Sequence, residues 1–347
     1  MKLCCIEVDV VKSGSVNSVG SEADAEEEDS QIPVKIQTCC KFSIHTALCT
    51  VKKDKNDVFY ELHQPPGNDY STALVPGFGK TTGLIRENTA MKTLKEKVLA
   101  CDKIFGTQIT FSEPVIAEIF GHAGYDFLWI DTEHSAIDLH TLSMYLGCLK
   151  YTGTPAIVRV PMHDRNQVKK VLEMGADGII FPMINTPEEA DAAMKSCLYP
   201  PEGNRGFGPL RAQHYGFRDL QDYLSNARNE ICRFVQVETE TAVKNLPEIV
   251  KNPYIDGFII GPFDLSGSIG ELGNVFGKRN MALIEETISI LKAHNKCIGI
   301  STGSADPEVF KLYADMGINM ISTAGDLTFL YEGVRKNTEA MKKVFGR

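Results

Sequence analysis

Phe127-Leu128-Trp129-Ile130-Asp131-Thr132-Glu133-His134 is the stretch that decides the fold. Four apolar residues run directly into an Asp, a Glu and a His, without the alternation that would leave one face in water. A short run that is apolar on both faces belongs to a buried strand of a parallel sheet. The charged groups then mark where that strand ends and its loop begins, which in a (β/α)8 barrel is the rim that carries reactive side chains. The pattern returns twice downstream, in Gln236-Val237-Glu238 and in Gly261-Pro262-Phe263-Asp264-Leu265-Ser266.

Working outward, short β-branched or apolar runs alternate with amphipathic helical stretches from residue 91 on, the signature of successive βα units. Strands are expected at 103–109, 127–131, 156–159, 178–181, 232–238, 257–260, 297–300 and 320–322, eight in all. Helices are expected at 164–174, stopped by Gly175, at 186–197, opened by Thr-Pro-Glu-Glu, at 306–316, stopped by Gly317, and at 326–344. The fold class is therefore α/β, a (β/α)8 TIM barrel over residues 86–347. Two connections, 182–233 and 261–296, are long enough to serve a site.

Residues 1–85 read differently. A Ser/Gly/acidic stretch, a β-branched and Lys-rich stretch and a Pro/Gly-rich stretch follow one another without a sustained period, so a poorly structured or peripheral extension is expected. Gly77-Phe78-Gly79-Lys80-Thr81 resembles the end of a phosphate-binding loop, but Leu74 stands where its first glycine is needed, which argues against a nucleotide site. Glu7 and Asp9 interrupt any signal-peptide core, and the acidic run 22–29 disfavours a transit peptide. With no stretch near the roughly 18 apolar residues that cross a membrane, the expected location is the cytoplasm.

The chain has 347 residues, is 43% hydrophobic and carries a net charge of −9. That length fits one barrel with an appendage, and that charge argues against nucleic acid held on a basic face. Ten cysteines include no Cys-x-x-Cys pair; the single ones, Cys101, Cys148, Cys197, Cys232 and Cys297, read as small apolar core residues.

The strand ends bring Asp131, Glu133, His134, Arg159, Glu238 and Asp264 to one rim. One histidine after a strand is usually a structural hydrogen-bonding residue, but one flanked by two carboxylates and facing an arginine is a candidate for chemistry. Glu238 and Asp264, with waters, suit an oxygen-seeking ion, Mg²⁺ first, Mn²⁺ or Co²⁺ otherwise, against the plain alternative that either pairs with Arg159. No second His or Cys accompanies them, so zinc is not expected. Gly261-Pro262 should expose the N–H groups of Phe263 and Asp264 at a helix start, a seat for a carboxylate. A 2-oxo acid fits this set.

Asp131-Thr-Glu-His134, Val158-Arg159-Val-Pro161, Gly175-Ala-Asp-Gly-Ile-Ile-Phe-Pro182-Met, Tyr199-Pro-Pro-Glu-Gly-Asn-Arg205-Gly-Phe-Gly208, Gln236-Val-Glu238 and Gly261-Pro-Phe-Asp264-Leu-Ser together resemble the HpcH/HpaI aldolase family over about residues 91–345. Trp129, Phe207 and Pro209 make the macrophomate synthase type look closest within it. The resemblance implies a metal-dependent carbon-carbon lyase that forms a pyruvate enolate, most simply in aldol cleavage of a 4-hydroxy-2-oxo acid. The alternative activity is oxaloacetate decarboxylation with transfer of the enolate to a carbon acceptor. It also implies Glu238 and Asp264 as metal ligands and His134, Arg159, Asp131 and Glu133 as the catalytic group. Substrate contacts are implied for Trp129, Gln236, Gly261, Phe263, Asp264, Phe207 and Pro209, and a homo-oligomer, trimer or hexamer, for the assembly. Three positions depart from the pattern: Gln108 stands where many members have Trp, Glu173 where some have an Asp that supports the histidine, and Phe263 where some have a small residue. A Schiff-base aldolase would need a strand-end lysine, which the strands ending at 238, 260 and 300 lack. A catalytically silent binding or scaffold protein would be marked by a lost ligand, arginine or histidine, and none is lost.

Overall fold

The computed structural model describes residues 92–347 throughout and, ahead of them, the backbone of four strands, β1 (Ile6–Val10), β2 (Ser30–Thr38), β3 (His45–Asp54) and β4 (Asp57–His63). The chain divides into two units, Met1–Ala90 and Met91–Arg347.

In the first unit the strands pair antiparallel in the order β1-β2-β3-β4, with Ile32 opposite Cys49 and Val51 opposite Tyr60. These four strands lie within the stretch that reads as a peripheral extension without a sustained period. A period-2 signal is present locally: Ile6, Val8 and Val10 alternate with Glu7 and Asp9, and Ile32, Val34 and Ile36 alternate with polar residues and Pro33. Gly77-Phe78-Gly79-Lys80-Thr81 and Cys4, Cys5, Cys39 and Cys40 lie outside the described residues.

The second unit opens with helix α1 (Leu94–Leu99), closed at its start by a capping box in which Thr93 and Glu96 satisfy each other's backbone donors. Strands β5 (Ile104–Ile109), β6 (Phe127–Asp131), β7 (Ala156–Arg159), β8 (Gly178–Phe181), β9 (Cys232–Val237), β10 (Gly257–Ile260), β11 (Cys297–Ser301) and β12 (Met320–Ser322) form a closed parallel barrel. All eight lie within one residue of their expected bounds. Helices α2 (Pro114–Gly121), α3 (Leu139–Thr152), α4 (Arg165–Glu173), α5 (Pro187–Cys197), α6 (Leu220–Glu230), α7 (Glu240–Ile249), α8 (Pro262–Ser268), α9 (Lys278–Ala293), α10 (Pro307–Asp315) and α11 (Asp326–Val344) follow the strands around the outside. A short 3-10 turn, Arg211–Gly216, interrupts the long connection before α6. None of the described helices is long and apolar enough to cross a membrane.

Alternation along each strand divides the core in two. Outward side chains such as Leu128, Ile130, Val158 and Ile179 pack against the helices, while Phe127, Trp129, Ile157, Ile180, Phe234, Ile259 and Met320 fill the lumen. The lumen is filled by pairing rings with glycines: a Cβ on Gly106 would meet the Phe127 ring at 2.5 Å, and one on Gly257 would meet the Phe234 ring at 2.9 Å. Cys197, Cys232 and Cys297 are buried and Cys101 and Cys148 half-buried, all as free thiols.

The N-terminal end of the barrel is plugged by Leu94 and Val98 of α1. Beside them Lys95 Nζ lies 2.5 Å from Asp256 and donates to the Ile231 carbonyl at 2.9 Å, while Arg233 Nε lies 3.4 Å from the same carboxylate. Burial pulls the Lys95 and Lys296 ammonium groups below their ordinary range, with Asp256 opposing in both. Lysines with lowered affinity for protons therefore occur, but at the end of the barrel that in this fold serves stability rather than chemistry.

Candidate active site

Strands β6 and β7 place Asp131 and Arg159 side by side, as Cα partners at the C-terminal rim. Arg159 donates from Nε and Nη2 to the two Asp131 oxygens, at 3.0 and 2.6 Å, and its Nη1 lies 3.1 Å from Glu133. The Trp129 ring lies 5.1 Å from the guanidinium carbon, so a cation–π contact completes the seat. Asp131 also accepts from the N–H groups of Glu133 and His134, at 3.0 and 3.3 Å, which folds the loop back over the strand end. Burial alone would weaken the guanidinium's hold on its proton, but Asp131 and Glu133 outweigh it and raise its pKa. Glu133 is shifted up by burial, with Asp131 and Asp264 adding and Arg159 and His134 opposing. His134 stands at the edge, its side chain 63% exposed and its Nε2 3.6 Å from Glu133.

Across the rim, Glu238 follows β9 directly and is buried. It accepts from the Met183 N–H at 2.6 Å and from the Gln236 amide nitrogen. Met183 has φ 52°, a left-handed conformation that is costly for a non-glycine residue and that here accompanies its N–H bond to the carboxylate. Burial pushes the Glu238 carboxyl up to about 7, with Asp264 and Glu133 adding and the Met183 N–H and Arg159 opposing. Gly261 is bare for a reason: a Cβ there would lie 2.9 Å from Glu238 Oε2 and 3.0 Å from Gln236 Nε2. It precedes α8, whose start has no side-chain cap, so the N–H groups of Phe263 and Asp264 remain available ahead of the first helical bond, Leu265 N–H to Gly261 O at 3.0 Å. Asn280, which the sequence did not single out, is fully buried and ties this segment down through the Pro262 and Val275 carbonyls at 3.1 and 2.7 Å.

The residues fit a hard divalent cation. Glu238 is a buried carboxylate that has Asp264 nearby and is short of positive charge, and Gln236 Oε1 is a buried acceptor without a partner among the described residues. Every donor in this set is oxygen, as Mg²⁺, Mn²⁺ or Co²⁺ in such a site would require. Among the described residues no group of three or more His, Cys, Asp or Glu side chains is arranged around a common point.

Two expected members are not brought to the rim. Phe207 packs on Tyr199 with ring centroids 5.8 Å apart, and a Cβ on Gly208 would lie 3.1 Å from Glu173 Oε1. Glu173 ends α4 and Tyr199 lies two residues beyond the end of α5, and helices of a barrel run opposite to its strands. Phe207, with Pro209 close behind it in sequence, therefore lies toward the N-terminal end within its own chain, away from His134. Glu173 lies there too and does not support the histidine of the same chain. Trp129 is fully buried and seats Arg159 rather than lining the opening. Gln108 reaches the rim and donates to Ser301 at 2.7 Å. A cavity of about 420 Å³ under residues 211–218 has its cations engaged locally, Lys150 with Asp177, Arg218 with Asp222 and Glu230, and Arg211 with the Ser143 carbonyl and the Tyr215 hydroxyl, so we place the chemistry at the barrel mouth.

Comparison with known proteins agrees with this geometry. The family profile described as HpcH/HpaI aldolase/citrate lyase matches residues 105–330. A hydroxypyruvate/pyruvate aldolase of Roseobacter denitrificans is 35% identical over 240 residues, covering 69% of this chain and 93% of that protein. A 4-hydroxy-2-oxo-heptane-1,7-dioate aldolase of Escherichia coli is 32% identical over 241 residues, covering 70% and 90%. A crystal structure of an HpcH/HpaI aldolase/citrate lyase family protein from Burkholderia cenocepacia superposes with a TM-score of 0.68 at 29% identity, covering 72% and 98%. Macrophomate synthase, with a TM-score of 0.61 at 25% identity over 70% of this chain and 86% of that one, is one neighbour among several, so the expected special closeness to its type does not stand out.

Proposed function

The chain belongs to the HpcH/HpaI aldolase/citrate lyase family, and from that premise we propose that it is a divalent-metal-dependent pyruvate aldolase, cleaving a 4-hydroxy-2-oxo acid to pyruvate and an aldehyde. The observation that carries this reading is the buried Arg159, fixed by Asp131 and Glu133 within the field of the buried Glu238.

Breaking the C3–C4 bond sends its electron pair into a C2–C3 double bond and leaves negative charge on the C2 oxygen. Arg159 is held to donate to that oxygen, and its planar group is already oriented by two carboxylates, so no reorganisation is needed as charge grows. Glu238 and Asp264 would hold the divalent ion, which supplies Lewis-acid polarisation of the same oxygen. The N–H groups of Phe263 and Asp264 bind the substrate carboxylate, helped by Gln236. His134, exposed at the rim and near Glu133, takes the C4 hydroxyl proton directly or through water as the aldehyde leaves. C3 then takes up a proton to give pyruvate.

Oxaloacetate decarboxylation builds the same charge at the C2 oxygen but removes no hydroxyl proton, so it does not need His134. Assembly as a trimer or hexamer belongs to the same proposal, supported by the connection that carries Phe207, 58% exposed, and Phe217, 93% exposed, away from its own mouth.

The test is pyruvate release from a 4-hydroxy-2-oxo acid and from oxaloacetate, each with EDTA and with Mg²⁺ or Mn²⁺ restored. Release from the hydroxy acid that EDTA stops and metal restores is expected. Release from oxaloacetate alone would replace the aldolase by a decarboxylase, and release from neither would overturn both.

A further inference from the structure

We infer that the arc of the rim formed by β11, β12 and β5 is a polar subsite for the aldehyde, selecting aldehydes that carry a hydroxyl on the carbon next to the carbonyl. The inference rests on the pyruvate aldolase reading above and names the substrate class of that site.

Three strands end there in inward-facing polar residues. On β5 the lumen positions are Ile104, Gly106 and then Gln108; on β11 they are Cys297, Gly299 and then Ser301; on β12 they are Met320 and then Ser322. Each column is apolar or small at depth and changes to amide or hydroxyl at the mouth. β12 lies between the other two, with Ser322 opposite Ser301 on one side and Gly106 on the other. The bond from Gln108 Nε2 to Ser301 Oγ, 2.7 Å, therefore bridges across β12. Gly325 packs closely on the Gln108 backbone from which that side chain springs, since a Cβ there would lie 2.7 Å from the Gln108 carbonyl and 3.1 Å from its Cβ.

Ser322 supplies the second observation. Its side chain is 2% exposed, and its hydroxyl has no partner among the described residues. A buried hydroxyl without a partner is an uncompensated cost of folding, and a ligand that bonds to it removes that cost.

The arc also lies where an aldehyde must sit. One end joins β6, where Gln108 is the Cα partner of Trp129, two residues before Asp131 and five before His134. The other end adjoins β10 and α8, where the Phe263 ring comes within 3.6 Å of a Cβ built on Gly303. In the bond-forming direction C3 of pyruvate loses a proton and attacks the aldehyde carbon, and the aldehyde oxygen gains a proton to become the C4 hydroxyl. The neighbouring hydroxyl does not react, so the arc acts on it through binding alone. An aldehyde with a methyl in its place would leave the Ser322 hydroxyl unpaired, the situation in which a site rejects the less polar analogue.

The experiment compares glycolaldehyde with propanal, which has a methyl where glycolaldehyde has its hydroxyl, as partners for pyruvate with Mg²⁺ present. It reads kcat/KM for each in the wild type, Ser322→Ala and Gln108→Leu. The ratio of glycolaldehyde to propanal should fall about 10-fold in each variant, mainly through KM for the aldehyde. Ser322→Ala removes one oxygen atom and keeps the reading available should Gln108→Leu not fold. A ratio unchanged in folded Ser322→Ala would overturn the inference while leaving the aldolase reading intact. A wild type that adds pyruvate to neither aldehyde and releases none from a 4-hydroxy-2-oxo acid would overturn the aldolase reading and this inference with it.

Discussion

Arg159 makes its contacts through three of its nitrogens and the face of its guanidinium, and each partner is itself placed by a strand or a turn. Lysine keeps the charge but has neither the planar fork nor the stacking face, so it cannot satisfy Asp131 and Glu133 together. Arg159→Lys should lower kcat for metal-dependent pyruvate release by about 10²–10³-fold, the cost of losing one preorganised donor to a developing oxyanion. A variant within a few-fold of wild type would remove Arg159 from that role. Gly261→Ala tests the opposite wall. Its methyl would press on Glu238 Oε2 and Gln236 Nε2, displacing a carboxylate rather than deleting it. The Mn²⁺ concentration for half-maximal activity should rise about 10–100-fold, with activity recovered at saturating metal; an unchanged metal titration would show that Glu238 does not hold the ion. His134→Ala should depress cleavage of the hydroxy acid about 10²-fold more than decarboxylation of oxaloacetate. Equal loss in both reactions would move His134 out of the proton-transfer role.

The barrel strands were legible because each is apolar on both faces and stops at a charged or glycine residue, as Phe127–Asp131 and Gly257–Ile260 do. The strands of the first unit are harder to read: Ile6, Val8 and Val10 alternate cleanly, but Glu7 and Asp9 serve equally as the polar side of a strand and as breaks in a signal-peptide core. Charged groups at strand ends could be placed from sequence, since a strand fixes their direction. Phe207 and Pro209 could not, because the connection leaves α5 at the far end of the barrel and nothing local in 198–210 says which way it turns. Gln108, Ser301 and Ser322 are legible only once closure of the barrel makes β12 the neighbour of both β5 and β11. The packing of these strands makes its own prediction. A methyl on Gly106 would run into the Phe127 carbonyl oxygen and come within 2.5 Å of its ring, and a carbonyl in a central strand cannot step aside. Gly106→Ala should therefore cost at least about 1–3 kcal/mol in urea unfolding, with incomplete rescue by Phe127→Leu, which relieves the ring contact but not the backbone one. A stability within 0.5 kcal/mol of wild type, the ordinary range for harmless substitutions, would show that the lumen is looser than these contacts require.

At the scale of the whole chain, chemistry and matched sequence fall on the same side of one division. Every side chain assigned to the rim lies between Gln108 and Ser322, the family match spans residues 105–330, and the second compact unit runs from Met91 to Arg347. That unit holds the closed barrel, both faces of its core and the Lys95–Asp256–Arg233 plug, so it contains what a domain needs to fold by itself. We therefore expect a chain of residues 91–347 to unfold cooperatively and to release pyruvate with kcat/KM within ~2-fold of the full-length protein, with the same loss in EDTA and the same recovery in Mg²⁺. The comparison is made on both chains with one substrate preparation, and circular dichroism establishes folding in each. A folded 91–347 chain without activity would place a required group in residues 1–90. A 91–347 chain that fails to fold would mean that the first unit completes the core of the second, and the division at residue 91 would then not mark an autonomous domain.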